Sequence, residues 1–211
     1  VYHNACTDTV HPLGRQTVQL GDANYLAKAS SINVVHNVRQ ADMDAGGQGA
    51  PLVPIGDKLL FSEYDYCLNL GGFANCSFEK DGQRIAYDIC PANIVLNHYA
   101  EKLGKDFDEN GKLAASGNLD EGLLQKLNAL SFYDEKPPKS LGLEWVKEHI
   151  FPLLNAYGIS SEDVLRTFTE HIAVQLAHQF SENASVLITG GGAYNSFLIE
   201  RLKKLALVEV V

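Results

Sequence analysis

The pattern of apolar and polar positions predicts a strand-rich first part of the chain. Residues 17–20 (TVQL) and 32–35 (INVV) are short apolar runs that predict strands, and the segment ANYLAKASS between them predicts a helix. From residue 61 to 90, apolar runs are broken first by Gly71-Gly72 and then by Asp81-Gly82. Because Asp-Gly between two strand-like runs is a strong hairpin signal, this segment predicts an antiparallel meander.

The second part of the chain has the periodicity of helices. Pro91 opens a predicted helix that Gly104 closes, and a further helix is predicted for residues 119–129. Ser160 and Asp163 form a capping-box pattern. The apolar residues behind them follow at intervals of three and four, as one stripe on a long helix; they are Leu165, Phe168, Ile172 and Leu176.

The chain closes with a strand, a glycine turn, a helix and a last strand, in the segment SVLITGGGAYNSFLIERLKKLALVEVV. Strands in hairpins followed by helices and further strands indicate an α/β protein whose sheet is covered by helices. The 211 residues are 45% hydrophobic and 20% charged, which is ordinary for a globular protein of this size.

The net charge of the chain argues against two classes of binding partner. The net charge is −9, which argues against nucleic acid or an anionic membrane as the main partner, because both require a basic patch. No run of 18 apolar residues occurs, so we expect no membrane span. The first residues lack a basic start and an apolar core, so we expect no signal peptide and a cytoplasmic location.

Candidates for metal binding are weak. The four cysteines do not form a Cys-x-x-Cys pair, so we interpret them as free thiols rather than as a zinc site. Asp106, Asp108 and Asn110 have the spacing of a calcium loop, but Gly117 stands where a bidentate Glu is required. We therefore predict a polar turn there, and no metal-ligating residue in the chain.

Two glycine turns are candidates for ligand binding. Gly190, Gly191 and Gly192 lie between a predicted strand and a predicted helix, and Gly71-Gly72 follows another strand. Each turn has a structural alternative, namely a tight strand-helix turn or a β-bulge. Glycine also lets the backbone approach a ligand closely, and backbone amides can hold phosphates without a basic surface. Two such turns in one acidic chain therefore favour a nucleotide cleft.

Asp88 is the candidate for acid-base chemistry. It is predicted to lie at a strand end, next to the apolar Ile89 and Cys90. Partial burial would raise the pKa of its carboxyl group and suit it for general-base work. The alternative is that Asp88 caps the following helix.

Several motifs occur together in one order: INVVHNVRQADMDAGGQGAPLVP, LNLGGFAN, AYDICPAN, KPPKSLG and ITGGGAYNSFLIERL. In these motifs the chain resembles the anhydro-N-acetylmuramic acid kinase family, and the resemblance covers nearly all of its length. The resemblance implies an actin- and hexokinase-like (ribonuclease H-like) two-domain ATPase fold of the α/β class. Residues 1–56 would form part of the first domain with the hinge, and residues 57–211 the second domain.

The resemblance also implies an activity. The family uses ATP with Mg²⁺ to open 1,6-anhydro-N-acetylmuramic acid by hydrolysis and to phosphorylate its 6-oxygen, in cell-wall recycling. The alternative is a non-catalytic fragment or homologue that binds a sugar or a nucleotide. The implied partners are therefore a small amino sugar and ATP, and the oligomeric state is left open, with a homodimer among the alternatives.

Individual residues match the family's functional positions. Asp88 matches the Asp that activates the attacking water. The sugar-binding positions are matched by Arg39, Asp42, Thr9, His11 and Asn93. The nucleotide-binding positions are matched by Asn69, Gly71, Gly72, Gly190, Gly191 and Gly192. The segment of residues 41–54, with Arg39 just before it, is expected to form the sugar-side and hinge-side connection.

The chain also departs from the family pattern. The Asp of an Asp-Phe-Arg motif is Asn37 here, and the usual Asp-Thr-Gly-Pro-Gly-Asn keeps only Asp88, Pro91 and Asn93. The family begins with a phosphate loop and ends beyond a Glu that holds the sugar, and neither is found in these 211 residues. We therefore expect the 211-residue chain alone not to phosphorylate the sugar.

Overall fold

A computed structural model describes residues 8–11, 14–17, 22–46 and 52–211. Contacts between α-carbons divide the chain into two units, Val1–Val53 and Pro54–Val211. The interpretation of these units as parts of two ATPase domains, with a boundary after residue 56, stays a prediction.

The first unit contains a small hairpin and two helices. Strand β1 (Asp8–His11) pairs antiparallel with β2 (Gly14–Thr17). The predicted helix is confirmed as α1 (Ala23–Ser30), whose first turn is capped by the Asp22 carboxylate; this accepts the amides of Asn24 at 2.8 Å and Tyr25 at 3.0 Å. A second helix, α2, covers Val38–Asp44.

Two expectations for this region are wrong. Residues 32–35 form no strand, and Ile32 and Val35 are 67% and 87% exposed. A β-branched run needs a partner strand for its backbone groups, and none lies beside it in the described ranges. The glycines and prolines of residues 41–54 predicted a loop, but this segment begins inside α2 and ends inside α3 (Val53–Leu60), while residues 47–51 lie outside the described part. Its role as the sugar-side and hinge-side connection stays a prediction. Of the predicted strand at 17–20, only Thr17 is described, as the last residue of β2.

The second unit is built on a five-stranded sheet. Its strands are β3 (Tyr66–Leu70), β4 (Phe73–Lys80), β5 (Gln83–Pro91), β6 (Ala184–Thr189) and β7 (Val208–Val210). The order across the sheet is β5-β4-β3-β6-β7. The first three strands are antiparallel, and β6 and β7 continue parallel to β3. This order, three antiparallel strands joined to two parallel ones, is that of a ribonuclease H-like sheet.

The predicted meander and the α/β class are thus confirmed. At the β4–β5 turn, Asp81 and Gly82 both have positive φ, +52° and +78°. Positive φ at both central residues is the signature of the type I′ hairpin turn that Asp-Gly favours.

Helices cover one side of this sheet. They are α4 (Asn93–Lys102), α5 (Lys112–Ser116), α6 (Glu121–Asn128), α7 (Leu143–Trp145), α8 (Phe151–Ala156), α9 (Ser161–Ala177) and α10 (Ser196–Leu205). A π-helical segment (Val146–Ile150) joins α7 to α8, and 3₁₀ turns form at Glu109–Gly111, Ser131–Asp134 and Gly191–Tyr194.

Helix α9 lies at the centre of the core, as its apolar stripe predicts. Leu165, Phe168, Ile172 and Leu176 are all buried, in one cluster with the strand residues Leu68 and Leu70. The predicted cap is present, because the Ser160 hydroxyl accepts the Asp163 amide at 3.1 Å. Burial of this stripe removes apolar surface from water and so stabilises the unit.

Helix α9 also buries polar groups that hold the helical layer together. Glu170 receives two hydrogen bonds from Arg201, at 2.7 and 2.8 Å, and one from Arg166 at 2.8 Å. His171 is fully buried, with one ring nitrogen 2.6 Å from Asn128 Oδ1 and the other 2.9 Å from the Tyr133 hydroxyl. Every polar atom of these two side chains is therefore satisfied inside the core.

The calcium-like loop has a structural role instead. The Asp108 side chain is buried, and its two carboxylate oxygens accept the amides of Leu113 at 2.7 Å and Ala114 at 2.9 Å. These bonds use the free donors at the start of α5. The carboxylate thus stabilises a short helix that the sequence did not predict.

Candidate functional site

Both glycine turns lie at one edge of the five-stranded sheet. The first turn, Gly71-Gly72, follows β3, and the second turn, Gly190, Gly191 and Gly192, follows β6. Strands β3 and β6 are parallel neighbours, with Asn69 opposite Thr189. The carboxyl ends of parallel strands meet at the same edge, which is where α/β proteins bind their ligands.

The first turn has its carbonyl groups tied to the start of α4. The Gly71 carbonyl accepts the Asn93 amide at 3.1 Å, and the Gly72 carbonyl accepts the amides of Ala92 at 2.8 Å and Ile94 at 3.2 Å. In a planar trans peptide the N–H group points opposite to the carbonyl. The amide of Gly72 therefore points away from α4, in an orientation that can serve a phosphate oxygen.

The second turn requires glycine at two of its three positions. Gly190 has φ +84°, and a Cβ there would lie 2.7 Å from Asn69 Oδ1 and 2.8 Å from the Leu70 carbonyl oxygen. A Cβ on Gly192 would lie 2.7 Å from Leu70 Cβ. On Gly191 the nearest atom would be Asn93 Nδ2, at an ordinary 3.8 Å. The outer glycines thus allow the second turn to pack directly against the end of β3.

A row of polar side chains crosses the sheet beside these turns. In the strand register, Asp88 lies opposite Asn75, Asn75 opposite Asn69, and Asn69 opposite Thr189. Residues directly opposite in neighbouring strands share a face, so all four lie on one face of the sheet. Leu68 and Leu70 alternate with Asn69 and are buried on the other face.

Asn75 and Thr189 were not identified from the sequence. Asn69 and Asn75 stand symmetrically about Gly72, and this symmetry could have indicated that they pair across the β3–β4 hairpin. No comparable signal exists for Thr189, because the register of two parallel strands joined by a long crossover is not visible in local sequence.

Asp88 does not cap a helix. Strand β5 continues past Asp88 to Pro91, and α4 begins at Asn93 with Ala92 in the N-cap position. Its carboxylate oxygen Oδ2 accepts the Leu141 amide at 2.8 Å, and its own amide donates to the Lys139 carbonyl at 3.1 Å. The segment around Lys139 and Leu141 therefore lies along the free edge of β5 and orients the carboxylate.

The environment of Asp88 suits a proton acceptor. Burial raises the pKa of the Asp88 carboxyl group, and the Leu141 hydrogen bond opposes this effect. A carboxylate with a raised pKa is a stronger base. The consecutive prolines Pro137 and Pro138 are incompatible with a continuing helix, but nothing in the local sequence indicates that this segment docks on β5.

The predicted sugar-binding residues are spread over both units. Arg39 and Asp42 lie half-buried on α2, and Thr9 and His11 belong to β1. These four are in the first unit, and their approach to Asp88 stays a prediction. Asn93 is in the second unit, where its side-chain amide donates to the Leu70 carbonyl at 3.1 Å.

Neither a metal cluster nor a membrane helix is found in the part of the chain that the structure describes. No group of three or more His, Cys, Asp or Glu side chains there has the arrangement of a metal site. No helix among the same residues has the length and apolar character needed to cross a membrane. The use of Mg²⁺ with ATP stays a prediction.

Comparison with known proteins identifies the family. The family model described as anhydro-N-acetylmuramic acid kinase matches residues 1–210. The kinase of that name from Vibrio parahaemolyticus is 38% identical over 200 residues, covering 90% of this chain and 54% of the relative. The one from Methylorubrum extorquens is 38% identical over 206 residues, covering 92% of this chain and 53% of the relative. The chain thus spans about half the length of the curated relatives it matches.

A solved structure has a weaker likeness. The activator of the 2-hydroxyisocaproyl-CoA dehydratase from Clostridium difficile, with bound ADPNP, shares 13% identity at a TM-score of 0.47 and covers 94% of this chain and 78% of its own. A likeness at this level supports no conclusion about ligands. The family match extends over nearly the whole chain, and the chain therefore belongs to the anhydro-N-acetylmuramic acid kinase family.

Proposed function

We propose that the protein carrying this chain is an ATP-dependent kinase that opens 1,6-anhydro-N-acetylmuramic acid by hydrolysis and phosphorylates its 6-oxygen, in peptidoglycan recycling. Family membership supports the proposal. The structural observation that carries it is the polar row, which connects the two glycine turns to the half-buried carboxylate of Asp88 on one face of the sheet.

In this proposal the glycine turns hold ATP. The amide of Gly72 faces away from α4 and donates to a phosphate oxygen, and the second turn borders the nucleoside with Gly190, Gly191 and Gly192. Asn69 lies between the two turns, since its side chain is the nearest neighbour of a Cβ at either Gly71 or Gly190. Bound MgATP supplies the phosphoryl group and the charge neutralisation that phosphoryl transfer requires.

Asp88 is the general base of the proposed reaction. Its carboxylate accepts a proton from the water that attacks the anomeric carbon, and the bond from that carbon to the 6-oxygen breaks. The freed 6-oxygen then accepts the γ-phosphoryl group of ATP, and ADP is the leaving group. The Leu141 amide holds one carboxylate oxygen, which leaves the other to face the water. The raised pKa of the Asp88 carboxyl group makes the proton transfer more favourable.

The residues proposed to bind the sugar are those that match the family's sugar-binding positions, namely Arg39, Asp42, Thr9, His11 and Asn93. A cytoplasmic location and a homodimer are compatible with this activity, and both stay predictions.

The direct test is to supply the whole protein with ATP, Mg²⁺ and the anhydro-sugar. We expect one ADP and one 6-phosphorylated, ring-opened sugar per turnover, measured by coupled ADP release and mass spectrometry. ADP release that does not depend on the sugar, or a product that keeps its anhydro ring, would contradict the proposal.

A second candidate is a non-catalytic homologue that binds sugar or nucleotide without turnover. It is favoured by Asn37, which replaces the family's Asp and adopts a left-handed conformation (φ +58°) without a side-chain capping bond to α2. Asn tolerates this conformation well, so the position has a backbone role here. Calorimetric binding of ATP and anhydro-sugar without any phosphate transfer would support this candidate.

A further inference from the structure

Asn93 makes contacts that a sugar-binding role does not explain. Its backbone amide donates to the Gly71 carbonyl at 3.1 Å, and its side-chain amide donates to the Leu70 carbonyl, also at 3.1 Å. A single residue at the start of α4 therefore binds two successive carbonyl groups at the end of β3. The helix itself gains no side-chain cap, since its N-cap residue is Ala92.

The same side chain also lies against the second glycine turn. Asn93 Nδ2 would be 3.5 Å from a Cβ on Gly192 and 3.8 Å from one on Gly191. The Leu70 carbonyl oxygen, which Asn93 holds, would lie 2.8 Å from a Cβ on Gly190 and 2.9 Å from one on Gly192. The hydrogen bond between Asn93 and the Leu70 carbonyl therefore lies against both glycine turns.

This bond completes the orientation of the first turn. The carbonyls of Leu70, Gly71 and Gly72 are three in succession, and all are bound by donors from residues 92–94. Because each trans peptide places its N–H opposite its carbonyl, the amides of Gly71 and Gly72 both point away from α4. Successive amides that face one side form a concave site for an anion.

We propose that Asn93 is a positioning residue that fixes the first glycine turn as a phosphate-holding unit, beside the second turn that borders the nucleoside. This inference rests on the proposed binding of ATP. Asn93 acts through the Leu70 carbonyl and the backbone of the first turn, and it fixes the amides of Gly71 and Gly72 before the nucleotide arrives. Preorganised donors lose less freedom on binding, so this positioning strengthens the hold on the phosphates and leaves the contacts to adenosine unchanged.

The test compares ATP with adenosine, which lacks the phosphates. Calorimetric titration of the protein should show that Asn93→Ala binds ATP roughly tenfold more weakly, the effect of about one net hydrogen bond, with unchanged affinity for adenosine. Asn93→Asp keeps the size of the side chain, but its carboxylate cannot donate to the Leu70 carbonyl, so it should lose at least as much. Asn97→Ala, one turn further along α4, is the matched control and should bind both ligands normally.

A second measurement uses the unaltered protein and does not depend on the folding of a variant. Hydrogen exchange at the amides of Gly71 and Gly72 should slow when ATP is added and should not change with adenosine.

Three outcomes would contradict this role of Asn93: normal ATP affinity in Asn93→Ala, an equal loss for ATP and adenosine, or equal protection of the glycine amides by both ligands. Absence of any ATP binding by the unaltered protein would instead overturn the proposed function together with this inference.

Discussion

The three glycines of the second turn should respond very differently to the same substitution. An alanine at Gly190 must adopt φ +84° and must place its Cβ 2.8 Å from the Leu70 carbonyl oxygen, which is backbone and cannot rotate away. An alanine at Gly191 meets nothing closer than 3.8 Å. Gly190 therefore requires the absence of a side chain, whereas Gly191, in the same turn, does not.

The expected magnitudes follow from two separate costs. Gly190 has φ +84° and ψ 173°, a backbone region open essentially to glycine alone, and it costs another residue about 1–3 kcal/mol. Overpacking in a tight site costs about 1–3 kcal/mol more. Gly190→Ala has both costs, so its free energy of unfolding should fall by roughly 2–6 kcal/mol. Gly192→Ala has the overpacking cost alone and should lose roughly 1–3 kcal/mol. Gly191→Ala has neither cost, and it should stay within about 1 kcal/mol of the unaltered protein.

Urea unfolding followed by circular dichroism measures these changes, and calorimetry measures ATP affinity in the same proteins. We expect Gly190→Ala and Gly192→Ala to lose ATP affinity, because Leu70 and the first turn must shift to admit the new methyl group. Gly191→Ala is the internal control for both measurements. Equal stability of all three variants would refute the geometry on which the site is built.

Three further predictions concern buried charged and titratable groups. Burial lowers the pKa of His171 from 6.5 to about 3, so the stability that neutral His171 contributes is complete above pH 6.5 and decreases as the pH falls towards 3. Between pH 7.5 and 5 the free energy of unfolding measured in urea should fall by about 2 kcal/mol, and His171→Gln should remove this pH dependence. Arg201→Ala should lower the free energy of unfolding by roughly 2–3 kcal/mol, because Glu170 then keeps only Arg166 in a buried site, and a change below about 0.5 kcal/mol would contradict this. Asp88→Asn should melt at a higher temperature than the unaltered protein at pH 7. Burial favours the neutral carboxyl group of Asp88, so the stability that this neutral form contributes is lost as the pH rises through its raised pKa, whereas Asn stays neutral; the two melting temperatures should therefore converge near pH 4.

The sequence predicted best those elements whose signals are local. The Asp81-Gly82 turn needs positive φ at both residues, and the Asp-Gly dipeptide favours this conformation by itself. The stripe of α9 is likewise a local periodicity, and its four apolar residues are buried as expected. The glycine turns were recognised because each follows directly on a predicted strand in the chain.

Elements that depend on distant partners could not be predicted in this way. The run at residues 32–35 has the composition of a strand but no neighbouring strand in the described part, and composition does not supply one. Asp108 has the spacing of a calcium ligand in the sequence. Its capping role was not predicted, because its amide partners, Leu113 and Ala114, lie five and six residues ahead, outside the usual capping spacing.

The residues of the candidate site also divide into those with a local sequence signal and those that depend on distant partners. Asp88 and both glycine turns were identified from residue type and from the family resemblance. The row that joins them depends on strand register, and the docking of Leu141 on Asp88 spans 53 residues of sequence. Apart from the symmetry of Asn69 and Asn75 about Gly72, these features have no local signal, so the supporting residues Thr189 and Leu141 became visible only in the structure.

The measurement that tests the central claim most directly is the turnover of the whole protein with Asp88 changed to Asn. Coupled ADP release with the anhydro-sugar should fall to background, because the carboxamide cannot accept the proton of the attacking water, while calorimetry should show nearly unchanged ATP affinity. Full turnover by Asp88→Asn would contradict the account, since the carboxylate at the end of the polar row would then have no part in the reaction.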